Sequence, residues 1–128
     1  MEALVATALG CVVVELESGD AELVDDDPPT AGSAEVSLPL LIAADQVGAR
    51  IVAVCNRRPP LMLSDDAGQT WQEAGGGLPA GTAIAIDPDD PDRLLYASDS
   101  RLYLSEDGGR FWRVLELELI GITALAFS

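Results

Sequence analysis

The sequence has no histidine, and all seven of its basic residues are arginine. The missing histidine removes the commonest general base and the commonest zinc ligand. Against those seven arginines stand 22 acidic residues, for a formal net charge of -15. A surface this acidic repels phosphate backbones and anionic bilayers, so no nucleic acid and no membrane is expected as a partner. It suits solubility, cationic partners or a high-salt milieu. Cysteine is scarce as well. Cys11 and Cys55 both sit in apolar, strand-like runs. They read as two buried free thiols, since a disulfide would need two separate parts of the fold to bring them together. There is also no glycine-rich phosphate loop, no paired-cysteine motif and no nucleophile elbow.

A targeting signal is missing too, although one stretch imitates it. Leu4 to Val14 is apolar, and Leu9-Gly10-Cys11 has the look of a lipoprotein cleavage site. But Glu2 stands where a signal peptide wants a basic residue, and the run is too short to span a bilayer. It reads as two core strands around a turn near Gly10. With no leader and no spanning segment, the default expectation is a cytoplasmic protein.

What is present is a chain of 128 residues, 48% hydrophobic, with mean hydropathy +0.23. That is one globular domain, long enough to bury a core without metal, disulfide or cofactor. It also repeats itself. Leu61-Met62-Leu63-Ser64-Asp65-Asp66-Ala67-Gly68-Gln69-Thr70-Trp71 parallels Leu102-Tyr103-Leu104-Ser105-Glu106-Asp107-Gly108-Gly109-Arg110-Phe111-Trp112. Ser64 stands 41 residues before Ser105. A period of about 40–45 residues holding several short strands is the spacing of propeller blades.

Each copy reads as four strands. In the later copy these are Thr82–Asp87 (A), Arg93–Ser98 (B), Arg101–Ser105 (C) and Phe111–Leu115 (D), with a turn at Pro88–Asp92. In the earlier one they are Val36–Ala44, Arg50–Cys55, Leu61–Ser64 and Thr70–Glu73. A decayed copy opens the chain, with Leu4–Thr7, Cys11–Glu15 and Ala21–Val24 as B, C and D. It keeps Gly19 but has Glu15, Glu17 and Glu22 where the others have Ser, Asp and Trp. Ile122–Ser128 is a last strand A with no blade after it. The expected organisation is a single domain of about three blades: 1–34 lacking strand A, 35–78, 79–120, and 121–128 as the extra strand. That strand has two candidate places, the chain's own first blade or the first blade of a second copy.

The pattern Ser-x-Asp-x-Gly-x-Thr-Trp resembles the Asp box, or BNR repeat. Ser64, Asp66, Gly68, Thr70 and Trp71 match it fully. Ser105, Asp107, Gly109 and Trp112 match it with Phe111 in place of threonine. Ala85-Ile86-Asp87-Pro88 and Leu95-Tyr96-Ala97 are similar to the segment that precedes the box in bacterial members. Such repeats occur in sialidases, sortilin-type receptors, xyloglucan-cleaving enzymes and a photosystem II assembly factor. They share a propeller fold and little chemistry. The resemblance implies an all-β protein made of four-stranded antiparallel blades, either a partial propeller or half of a dimeric six-bladed ring. It also implies that the box residues are structural and lie on the rim. The residues themselves agree. The aspartates can accept backbone donors of a C-to-D turn, the glycines can take positive φ, and each tryptophan can seal the turn with a large apolar surface.

No catalytic constellation emerges. Tyr96 and Tyr103 lie in repeat positions, and none of the arginines follows a triad context that a sialidase would need. Strand A carries no polar residue facing inward except Thr82 and Thr123. Among so many acids some pair will meet the spacing of a glycosidase by chance; Glu116 and Glu118 read as one solvated strand face. Asp25–Asp27 and Asp87–Asp92 lack the spacing of a calcium loop, so no metal is expected. Arg57-Arg58-Pro59-Pro60 is the one basic spot, an exposed turn and a candidate contact site. The expectation is a non-catalytic scaffold or interaction module whose partner is itself or another protein. The alternative is a piece of a longer glycan-active or glycan-binding propeller of six to eight blades.

Overall fold

The computed structural model describes residues 1–30 and 36–128. Its strands are β1 (Glu2–Thr7), β2 (Gly10–Glu15), β3 (Ala21–Val24), β4 (Leu41–Val47), β5 (Arg50–Cys55) and β6 (Leu61–Ser64). They continue with β7 (Gln72–Ala74), β8 (Ala83–Asp87), β9 (Asp90–Ala97), β10 (Leu102–Ser105), β11 (Arg113–Val114) and β12 (Ala124–Phe127). No helix is present among the described residues. The strands form three four-stranded sheets, all antiparallel, in the orders β12-β1-β2-β3, β4-β5-β6-β7 and β8-β9-β10-β11. These are blades 1, 2 and 3.

Alternation decides how the blades stack. In β8, Ala83 and Ala85 point to one side and Ile84 and Ile86 to the other, yet all four are buried. Blade 3 is therefore covered on both faces. On one side Ala83, Ala85, Leu95, Ala97, Leu102 and Leu104 pack against Ala3, Val5, Val12, Val14 and Leu125 of blade 1. On the other, Ile84, Ile86, Leu94 and Tyr96 pack against Val52, Val54 and Leu61 of blade 2. The spatial order is blade 2, blade 3, blade 1. Two faces are left at the ends of the stack. On blade 2 it carries Ala44, Ala53, Cys55, Met62 and Trp71, partly covered by Val36 and Leu38 of the loop before β4. On blade 1 the register places Leu4, Ala6, Cys11, Val13 and Ala126 on the outward side.

β12 lies against β1 of its own chain, Leu4 opposite Ala126 and Val5 opposite Leu125. Of the two places the sequence leaves open for this strand, the structure shows the first. Thr82 ties the closure to blade 3, its hydroxyl donating to the carbonyls of Ile122 (2.9 Å) and Ser98 (3.2 Å).

Most strands shift by a few residues from the sequence reading, and three differences change the local structure. Strand A of blade 2 is Leu41–Val47, later than Val36–Ala44. The alternation of Val36-Ser37-Leu38 instead serves a loop that lays its apolar residues on the blade face, and Leu40, at φ 60, breaks any strand before Leu41. The turn expected at Pro88–Asp92 tightens to Pro88-Asp89, because Asp87 pairs with Asp90. Pro91 falls at the resulting register shift, where a missing N–H costs no ladder bond. Strand D of blade 3 is only Arg113–Val114. Glu116 and Glu118 follow it outside any strand, and Glu118 pairs with Arg101 at 2.6 Å.

Candidate functional site

The repeated turns are built by one serine and one aspartate each. Ser64 Oγ donates to Asp66 Oδ1 (2.8 Å) and accepts from the Gly68 N–H (2.8 Å). Asp66 Oδ1 takes the Thr70 N–H at 2.8 Å and Oδ2 takes the Thr70 hydroxyl. In the second turn Ser105 Oγ donates to Asp107 Oδ1 (2.9 Å) and accepts from the Gly109 N–H (2.9 Å). Asp107 Oδ1 takes the N–H groups of Phe111 (3.0 Å) and Arg110 (3.2 Å). Gly68 and Gly109 have φ of 92° and 93°, a region glycine enters freely.

These bonds stabilise the charged carboxylate. The Thr70 hydroxyl and N–H, with the Ser64 hydroxyl, hold the Asp66 carboxyl down at about 2. The Phe111 N–H, helped by Ser105 and Arg110, lowers that of Asp107. The serine hydroxyl and the aspartate carboxylate of each motif are thus engaged by their own turn. The tryptophans part company: Trp71 packs on the open face of blade 2, while Trp112 packs between blades 2 and 3. There its ring meets Tyr96 edge-on at 5.9 Å and its Nε1 donates to Gly109 O at 3.1 Å.

Arg50 joins the turns of neighbouring blades. Its guanidinium reaches Asp65 (2.8 Å), the Pro91 carbonyl (2.8 Å) and Asp92 (2.9 Å). Arg50, Asp65 and Asp92 line a groove of about 390 Å³ that also holds Glu73, Asp107 and Arg110. Its carboxylates are committed: Asp65 and Asp92 to Arg50, Glu73 to Arg57 at 2.6 Å, Asp107 to its turn. Sequence reading missed Arg50. Of its partners, Asp65 is a variable x position of the motif, while Pro91 and Asp92 lie outside it at the start of β9, so the motif itself did not point to the contact.

The second concavity lies where the three inner strands converge. A cleft of about 350 Å³ is lined by Asp45, Gln46 and Val47 of β4, Ile84, Ala85 and Ile86 of β8, and Leu125, Ala126 and Phe127 of β12, with Thr30 and Pro88 beside them. The sequence reading put only Thr82 and Thr123 as polar groups on strand A; the later placement of β4 adds Asp45 and Gln46. Both are occupied. Asp45 Oδ2 accepts the outward N–H of Ile86 across the blade junction (2.8 Å), and Oδ1 accepts the Gln46 N–H (2.9 Å). Gln46 donates to Gly48 O at 3.0 Å. An aspartate in an apolar run was the signal that could have marked this bond.

The remaining candidates are scattered. Arg57 and Arg58 sit on the β5–β6 turn; Arg57 pairs with Glu73, and Arg58 has no ion-pair partner among the described residues. Asp87 holds Arg93 at 3.1 Å and accepts the Asp89 N–H at 2.9 Å. Among the described residues no group of three or more acids or cysteines is placed to hold a metal ion. Tyr96 is fully buried, its hydroxyl donating to Pro79 O at 2.5 Å, and burial, with Tyr103 beside it, pushes it up to about 12. Cys11 and Cys55 are free and buried, and burial raises the Cys55 thiol.

Three blade-like sheets stacked face to face around a common inner edge make the chain a partial β-propeller. No family model and no curated protein matches it. A solved structure does, that of a GH74 enzyme from Niastella koreensis, a propeller protein, with a TM-score of 0.53 at 21% identity. The match covers 96% of this chain and 19% of that one, so the chain spans a minor part of that enzyme's length. The likeness is one of fold.

Proposed function

We propose that this chain is a non-catalytic interaction module whose blades are Asp-box repeats. The observation that carries the reading is the commitment of the polar groups in the axial cleft and in the groove beside the turns. In the axial cleft Asp45 and Gln46 are bonded to backbone. In the groove beside the turns the carboxylates are held by Arg50, Arg57 or their own turn. Catalysis by proton transfer or nucleophilic attack needs groups aimed at a substrate, and these groups are aimed at the protein. The assignment of the repeats rests on the serine–aspartate–glycine network formed twice at equivalent positions.

A second reading makes the chain a glycan-active or glycan-binding part of a longer propeller. What favours it is the shared fold with a GH74 enzyme. The two readings separate on a glycan array and a panel of glycosidase substrates run with the purified chain. An interaction module is inert in both. Saturable binding to one glycan class, or turnover abolished by substituting a groove carboxylate such as Asp92, would sink the first reading in favour of the second.

A further inference from the structure

The stack has two junctions of the same kind. At each, a sheet face made of alternating small and branched residues meets the opposite face of the next blade. The outermost faces are that of blade 1, where Leu4 and Val13 stand half-buried beside the buried Ala6 and Cys11, and that of blade 2, where Met62 and Trp71 stand half-buried beside the buried Ala44 and Ala53. They are related as the two halves of a junction are. In blade 3 the face equivalent to that of Met62 and Trp71 carries Tyr103 and Trp112, and it is covered by blade 2. Among the described residues blade 2 has only Val36 and Leu38 of a loop in that place.

Charge points the same way. Asp25-Asp26-Asp27 leaves β3 at the end of blade 1 where Cys11 pairs with Val24. Arg57 and Arg58 stand on the β5–β6 turn, at the same end of blade 2. Arg58 is exposed and lacks an ion-pair partner among the described residues, while the three aspartates are exposed as well. An acidic edge beside one free face and a basic turn beside the other complement each other between copies.

We propose that the two free faces dock on each other in a second copy of this chain. Blade 1 of each protomer seats on blade 2 of its partner, closing a two-fold ring of six blades. Rings of about four to eight blades are the known range, and one junction used twice satisfies two-fold closure. Strand β12 stays with its own chain. This goes beyond the interaction-module reading and does not depend on the identity of the repeats.

Light scattering on a sizing column tests it. The full chain is expected at twice 13.4 kDa; a monomer at every concentration reached would overturn the proposal. Val13→Arg, on the blade 1 face, is expected to give a folded monomer, whereas Val114→Arg, on the far edge of blade 3, keeps the dimer. A folded Val13→Arg dimer contradicts the assigned face. Should Val13→Arg fail to fold, a Trp112→Phe chain leaves Trp71 as the one reporter. Its emission is expected to shift to the blue as dimer forms, and an unchanged spectrum across that transition overturns the docking face. Glycan binding plays no part in these readouts, so the two proposals fail separately.

Discussion

The two serine–aspartate turns solve one problem with different residues. The 64–71 turn gives Asp66 a hydroxyl from Thr70, which the 105–112 turn lacks because Phe111 stands there, 79% exposed. In exchange the second turn is the more relaxed. Gly108 takes φ 74 where the first turn forces Ala67 to φ 59. Both residues do the same work there. The Ala67 N–H reaches Ala49 O and the Gly108 N–H reaches Asp92 O, each tying the turn to the neighbouring hairpin at 2.9 Å. The larger difference is what covers them, since Trp112 lies within a blade junction and Trp71 beneath a loop. One motif therefore supplies local rigidity in both places, and the neighbouring blade decides how much that rigidity is worth.

Substitutions can break that comparison, beginning with the tryptophans. Trp112→Ala removes a ring packed on Tyr96 between two blades and is expected to cost about 3 kcal/mol. Trp71→Ala costs less, and thermal or urea melts of both variants measure the gap. Ser105→Ala comes next. It orphans the buried Gly109 N–H, at about 1–3 kcal/mol. Ser64→Ala falls below it, because the Gly68 N–H is only partly buried. Equal losses in these pairs would mean that junction burial does not distinguish the turns.

A titration sharpens the comparison. Asp66 has its pKa depressed to about 2 from an ordinary 3.8. The folded carboxyl therefore binds its proton less readily than the unfolded one. Its contribution is fully present above the unfolded value, near 4, and fades as pH falls toward 2. Thr70→Val is expected to raise the Asp66 pKa, and Phe111→Thr to lower that of Asp107, both read from carboxyl chemical shifts. The smallest expected effect is that of Ala67→Gly. Releasing a left-handed alanine stabilises by less than about 1 kcal/mol once the added chain entropy of glycine is counted.

The local pattern was legible in the sequence. The 41-residue offset, the alternation of Ala83 to Ile86, and the serine, aspartate and glycine positions led to four-stranded antiparallel blades. The β4 register was not legible. Val36-Ser37-Leu38 alternates as a strand does, and only packing on Ala44 and Cys55 makes it a loop. Arg50 was hidden for a related reason. Its value lies in reaching Asp92 on another blade, and no local spacing announces a contact between blades. The place of the last strand was half legible, since the sequence offered the first blade of its own chain or of a second copy, and the pairing of Leu4 with Ala126 depends on the geometry of everything between them.

That pairing is the centre of the account, because it makes three complete blades out of one chain and sets which faces stay free. An isotope-filtered NMR experiment on a mixture of labelled and unlabelled chains tests it directly. Cross-peaks between Val5 and Leu125 and between Leu4 and Ala126 are expected within a single chain and absent between chains. The same cross-peaks appearing only between chains would mean that β12 completes the blade of a partner, and the blade order described here would be wrong.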